Sequence, residues 1–136
     1  MKINFVSNII NKINGNKNKN IIWFFLVVGF ILSIYNLILD PFILLFSPFV
    51  IIFTLWLFLP YIIFSIIAFK IKEKVLLIIT GSIILLIDIY FHYVVLTGSS
   101  TAGILFVFTP ILLIVLIFTL IGIGKLLKFT YSKFKK

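Results

Sequence analysis

Two ionisable side chains lie four residues apart in the otherwise apolar stretch IDIYFHYVV. They are Asp88 and His92, and the i, i+4 spacing places them next to each other on one face of a helix. A carboxyl group beside an imidazole could pass a proton, so the chemistry that this pair indicates is a proton relay. Ionisable residues within a membrane span are costly and mark a functional site by default.

Further polar residues are expected at a similar depth in the neighbouring segments. With Asp88 and His92 they form a predicted polar cluster that opens to the outside, and its other members are Asn36, Asp40, Ser99, Ser100 and Thr101. A structural alternative stays open, in which Asp88 and His92 only bond to each other and to the backbone and so hold a helix hairpin together. For the Ser-Ser-Thr turn the alternative is a hydroxyl cap at the start of the following helix.

A proline lies at the depth of the aspartate. Counted at about 1.5 Å per residue from the outer ends of their spans, Asp88 and Pro110 both lie roughly 12 Å deep. Pro110 has no N–H, so the carbonyl of Phe106 lacks its helical partner. A protonated Asp88, His92 or a tyrosine hydroxyl could donate a hydrogen bond to that carbonyl.

The elements that must position these residues are membrane helices. Hydrophobic residues make up 63% of the 136 and charged residues 11%, and the mean hydropathy is +1.35, so a soluble core could not bury this chain. We predict an all-α polytopic membrane protein with four transmembrane helices in an antiparallel bundle, at about residues 21–39, 48–69, 75–96 and 102–124. Pro60 and Pro110 are predicted to kink the second and fourth helices.

The charges predict the orientation of the helices. All twelve basic residues are lysines, and they occur only at residues 2–19, 70–74 and 125–136, between or outside the apolar runs. Under the positive-inside rule both termini and the link between spans two and three are cytoplasmic. The expected location is the bacterial inner membrane, and the distribution of lysines indicates topology rather than nucleic-acid binding.

The two ends of the chain are predicted to lie on the inner surface of the membrane. Residues 1–20 form a cytoplasmic basic segment, in which residues 2–14 have one apolar face and predict an amphipathic helix. The following NGNKNKN is expected to be a flexible polar link. The basic tail, residues 125–136, is expected to extend the fourth helix into the headgroups and to bind anionic lipid.

Composition argues against an enzyme. There is no cysteine, there is one histidine, and there are three carboxylates, so the sequence offers neither a metal cluster nor a nucleophile with a base and an orienting group. It also has no phosphate-binding loop. We therefore expect no catalytic residues, no cofactor and no metal.

One segment resembles known proteins. The run SSTAGILFVFTP, Ser99 to Pro110, with Asp88 upstream, is similar to a pattern in small uncharacterised bacterial inner-membrane proteins, a resemblance that implies no activity. The expected architecture also resembles that of immunity proteins that protect bacteria from membrane-acting toxins. This second resemblance implies that the chain is an interaction protein whose partner is a membrane protein or a toxin. The alternatives are a holin-like pore and an accessory subunit of a small transporter or channel.

The distribution of lysines makes the topology testable. Reporter domains fused after Lys74 and after Lys136 should report a cytoplasmic location, and a fusion after Ser99 should report the opposite side, because all lysines then lie inside. The measurement is the paired activity of a reporter that works only in the cytoplasm and one that works only outside. An outside signal at Lys74 or at Lys136 would contradict the prediction.

Overall fold

The computed structural model shows an all-helical protein. It describes residues 6–9, 11–12, 15–39, 47–97 and 102–134, and within these it describes only the backbone of residues 36, 37, 39, 47–50, 95–96, 102–103 and 105–106. Four long helices follow one another: α1 (Lys19–Leu39), α2 (Ser47–Lys70), α3 (Lys74–Leu96) and α4 (Ala102–Phe134). Residues 6–9 and 11–12 are also helical, where the sequence predicts an amphipathic helix.

Three of the helices are long and apolar enough to cross a membrane. The qualifying stretches are Ile51–Lys70, Lys74–Val94 and Val107–Phe134. The first helix is apolar as well, and its 21 residues correspond to a length of about 32 Å at 1.5 Å per residue. The helix boundaries lie close to the predicted spans, and α4 continues well past residue 124, as the sequence predicts for the basic tail.

The four helices pack around a shared core. Helix α1 lies against α2, α2 against α4 and α4 against α3, and a smaller contact between α1 and α3 closes the ring. The buried apolar side chains of the core come from every helix and from the α2–α3 link: Ile22, Phe25, Tyr61, Phe64, Ala68, Ile71, Leu77, Ile84, Leu113, Ile117 and Ile121. Pro60 and Pro110 are both buried and both lie inside helices.

Glycines bring the helices close together at three places. A Cβ atom on Gly29 of α1 would collide with the ring of Tyr61, and a Cβ atom on Gly81 of α3 would collide with the ring of Phe25. The third contact is between Gly124 of α4 and the side chain of Leu76. Small residues allow such close approach in membranes, where packing rather than the hydrophobic effect holds helices together.

The segment before α1 is bound to the end of α2. Asn18 is buried, and its side-chain amide donates hydrogen bonds to the carbonyls of Ala68 (2.9 Å) and Ile71 (2.6 Å). The side chain of Asn16 donates to the carbonyl of Phe69 (3.3 Å) and accepts a hydrogen bond from the backbone N–H of Asn18 (2.8 Å). These bonds satisfy carbonyls that a helix C-terminus leaves without partners. The polar link is therefore a cap rather than free chain, which differs from the flexible link that the sequence predicts.

The last helix is bound to the α2–α3 link. Lys128 donates a hydrogen bond to the carboxylate of Glu73 and forms an ion pair with it. This hydrogen bond lowers the pKa of Glu73 below its ordinary value. Together with the caps at Asn16 and Asn18, the pair gathers residues 15–19, 70–74 and 125–133 at one end of the bundle, called here the lysine-bearing end.

The glycine contacts predict which alanine substitutions the fold tolerates. Gly29→Ala and Gly81→Ala should each destabilise the protein by about 1–3 kcal/mol, because the new methyl group meets an aromatic ring that is itself packed in the core. Unfolding of the purified chain in mixed micelles, titrated with a denaturing detergent, measures the change.

Gly122→Ala is the matched control. A Cβ atom there meets nothing within 4 Å, so this variant should be neutral or up to about 1 kcal/mol more stable through its better helix propensity. Equal effects at Gly29 and Gly122 would contradict the packing described above.

Candidate functional site

The predicted pair lies inside the bundle, and its main partner comes from another helix. Asp88 of α3 is 6% exposed. Its Oδ2 atom accepts a hydrogen bond from the hydroxyl group of Tyr61 in α2. Nothing in the sequence singles out Tyr61 as this donor. The site is therefore a link between two helices that are neighbours along the chain.

Tyr61 is held in place by its surroundings. Its ring packs against Gly29 of α1. The ring of Phe58 stacks on the ring of Tyr61, with the two centroids 6.5 Å apart. Tyr61 is 1% exposed, so its hydroxyl has no access to water and depends on a partner within the protein. A residue larger than glycine at position 29 would displace the ring and with it the donor to Asp88.

His92 bonds mainly to the backbone. Its Nδ1 atom lies 2.6 Å from the carbonyl oxygen of Asp88 and 3.5 Å from the Oδ1 atom of the same residue. A carbonyl only accepts hydrogen bonds, so Nδ1 carries a proton and donates it to the carbonyl. The distance to Oδ1 is too long for a normal N–H···O bond. His92 thus has the bond to the backbone that the structural alternative expects, but the side-chain partner of Asp88 is Tyr61 rather than His92.

Three further polar atoms are buried in helices α2 and α3. Within the described residues, Ser65 Oγ, Thr80 Oγ1 and His92 Nε2 have no hydrogen-bond partner. A buried polar atom without a partner costs on the order of 1–3 kcal/mol. The hydroxyls of Ser65 and Thr80 lie on helices α2 and α3, the same two helices that the Tyr61–Asp88 bond connects.

The other members of the predicted cluster are not brought to Asp88 by the described structure. Asp40, Ser99, Ser100 and Thr101 lie outside the described residues, and so does the predicted hydroxyl cap. Asn36 lies in α1, where only its backbone is described. The outward-opening cluster therefore stays a prediction.

A tryptophan bonds close to the proline of α4. Trp56 Nε1 donates a hydrogen bond to the carbonyl oxygen of Val107, at 3.1 Å. This carbonyl is one residue after that of Phe106, which Pro110 leaves without its helical partner. Trp56 of α2 therefore meets α4 where Pro110 interrupts the hydrogen-bond ladder. The donors expected there from the sequence are Asp88, His92 or a tyrosine.

The arrangement limits the chemistry that the pair can perform. A relay through His92 needs its ring to face the carboxylate, but the Nδ1 proton is directed at the backbone carbonyl instead. Within the described residues, no three side chains of the metal-binding types His, Cys, Asp and Glu come together. The geometry suits helix-to-helix bonding better than proton transfer.

Comparisons with family models, with curated proteins and with solved structures find no match.

Stability measurements can separate a structural bond from an open site. Tyr61→Phe and Asp88→Val should each destabilise the protein by about 1–3 kcal/mol, because each leaves the other partner buried without its hydrogen bond. The double variant should lose less than the sum, since both polar groups leave together. The same detergent titration measures all three.

Tyr35→Phe is the control, because Tyr35 is largely exposed and makes no described hydrogen bond; it should leave stability unchanged. Strictly additive losses from Tyr61→Phe and Asp88→Val would show that the two side chains do not depend on each other.

Proposed function

We propose that this chain is a small integral membrane protein that crosses the bilayer four times and acts by binding another membrane protein. Three qualifying helices and a first helix of sufficient length support the four crossings. The gathering of the lysine-bearing segments at one end supports an antiparallel bundle with both termini in the cytoplasm, in the inner membrane of a bacterium. Tyr93, three residues before the opposite end of α3, suits the outer interface.

The placement of polar groups on α3 is the main observation that supports binding to another membrane protein. One face of this helix holds Asp88, whose carboxylate is used by Tyr61 inside the bundle. The other face directs two tyrosines outward, with Tyr90 62% and Tyr93 63% exposed. The carboxylate of Asp88 is thus committed to a bond inside the bundle, whereas the two tyrosines are on the surface, where a partner can reach them.

Tyr90 is the more informative of the two tyrosines. It lies six residues before the end of α3 at Leu96, or about 9 Å from that end. Side chains in a helix lean toward its N-terminus, which places the hydroxyl deeper still. Within the described residues this hydroxyl has no hydrogen-bond partner, so in hydrocarbon it remains available to a polar group of a partner helix.

Immunity against a membrane-acting toxin is the most concrete form of this role. The bound partner would be a toxin helix, and occupation of the tyrosine face of α3 would prevent its assembly or its insertion. No step of this role requires a bond to be made or broken, in keeping with the fixed hydrogen bonds of Tyr61, Asp88 and His92.

Site-specific crosslinking in cells tests the surface. A photoreactive phenylalanine analogue at position 90 should give an adduct with one membrane polypeptide, and the same analogue at Val115 of α4 should not. Val115 is the matched control because it lies inside a helix and is 60% exposed, close to the 62% of Tyr90. An excess of the chain without the photoreactive analogue should lower the yield of the adduct, because it competes for the same partner. Adducts of equal yield at both positions, or adducts with lipid alone, would contradict a partner surface on α3.

The genes beside this one allow the toxin hypothesis to be tested in the same cells. If the crosslinked polypeptide is encoded next to this chain, its expression should stop growth, and co-expression of this chain should restore it. Tyr90→Phe combined with Tyr93→Phe should weaken that protection without changing the amount of inserted protein. Protection that persists at full strength would place recognition elsewhere on the protein.

A further inference from the structure

A groove lies at the lysine-bearing end, between the N-terminal helical segment and the end of α2. It has a volume of about 510 Å³ and is lined by Ile9, Lys12, Gly15, Asn16, Ile66, Phe69 and Lys70. Within the proposed topology, this position is at the inner headgroup level, because the apolar stretch of α2 ends at Lys70. The groove is therefore open to the lipid that surrounds the protein.

The lining has two chemically different parts. Ile9, Ile66 and Phe69 give an apolar wall that an acyl chain can contact. Lys12 of the N-terminal segment and Lys70 of α2 line the groove from its two sides, and the described lining residues include no carboxylate. We infer that this groove binds one anionic phospholipid, with an acyl chain along the apolar wall and the phosphate between the two lysines.

The end of a helix normally opposes such an anion. The C-terminus of α2 carries the negative end of its dipole, which repels a phosphate. Here the side-chain amides of Asn16 and Asn18 already donate to the carbonyls of Ala68, Phe69 and Ile71. Because these carbonyls are satisfied, the phosphate meets Lys70 and the polar face of Asn16 rather than bare acceptors.

The lipid also explains how the N-terminal segment is held. Val6 and Ile9 remain exposed on this segment at 56% and 43%, so contact with the bundle alone does not cover its apolar face. A phospholipid in the groove would contact this segment and α2 at once and would join them. This site depends on membrane insertion, but not on the protein partner proposed for α3.

Lipid binding to the purified full-length chain tests the inference. The chain in detergent is titrated with phosphatidylglycerol or with phosphatidylcholine of the same acyl chains, and native mass spectrometry counts the retained lipids. We expect one retained phosphatidylglycerol, bound on the order of tenfold more tightly than phosphatidylcholine. Equal retention of the two lipids would overturn the site.

Two lysine pairs separate the groove from general attraction by positive charge. Lys12→Gln with Lys70→Gln should lower the affinity for phosphatidylglycerol by on the order of tenfold. Lys72→Gln with Lys74→Gln removes the same charge from exposed positions at the same end that do not line the groove, and should leave the affinity unchanged. Equal losses from the two pairs would overturn the inference.

A third variant fills the groove without changing any charge. A Cβ atom on Gly15 meets only the carbonyl oxygens of Asn11 at 3.5 Å and Lys12 at 3.9 Å, so the backbone tolerates a side chain there. Gly15→Leu should reduce the retained phosphatidylglycerol as strongly as the Lys12 and Lys70 pair, whereas Gly15→Ala should retain it. Full retention by the Gly15→Leu variant, with all lysines present, would show that the lipid binds elsewhere.

Discussion

The hydrogen bond from Tyr61 to Asp88 is the contact on which the arrangement of the helices depends. It joins α2 to α3, and it forms only if the ring of Tyr61 lies flat on Gly29 of α1, so it fixes three helices at once. Bonds of this kind between membrane helices contribute modestly, about 0.6 kcal/mol on average. A shift of either helix by one residue turns its side chains by about 100° and would leave a phenol and a carboxyl buried without partners. Its contribution is thus larger to specificity than to stability, because it distinguishes one register from its neighbours.

The middle of the bundle and its lysine-bearing end are held together by different forces. Near the middle, aromatic rings rest on glycines, and the contacts are dispersion and shape. At the lysine-bearing end, side-chain amides bond to helix carbonyls, and a lysine pairs with Glu73. That pair is exposed, so its contribution is small and is weakened by salt. Asn18 is buried and its two hydrogen bonds retain their strength, which makes it a stronger link at this end than the pair of Lys128 and Glu73.

The sequence predicts where the helices lie but not which faces meet. Long apolar runs, prolines and lysines determine the start and end of each helix, and the observed bounds follow them closely. In a membrane the outside of a helix is as apolar as its inside, so hydrophobic periodicity does not reveal the buried face. For this reason the sequence predicts how deep Asp88 lies in the membrane but not which residue donates a hydrogen bond to it. Tyr61 follows Pro60 within an apolar run, and nothing in the neighbouring sequence distinguishes it from the tyrosines that face outward.

The same reason explains the misread N-terminal link. Asparagine, glycine and lysine in NGNKNKN are typical of loops, and the composition is correctly read as polar. What composition does not show is that the last carbonyls of α2 need donors, and that these donors come from a segment fifty residues earlier in the chain. Asn18 is recognisable as a cap only when the start of α1 and the end of α2 are known to be neighbours.

That separation along the chain has a consequence for synthesis. A ribosome releases Asn18 well before it has made Ala68 and Ile71, so the side-chain amide of this asparagine lacks these two acceptors until α2 has been made. The docking of the amino-terminal segment must therefore wait until α2 is complete. The order of assembly is built into the chain: the first residues to be made are among the last to reach their final place.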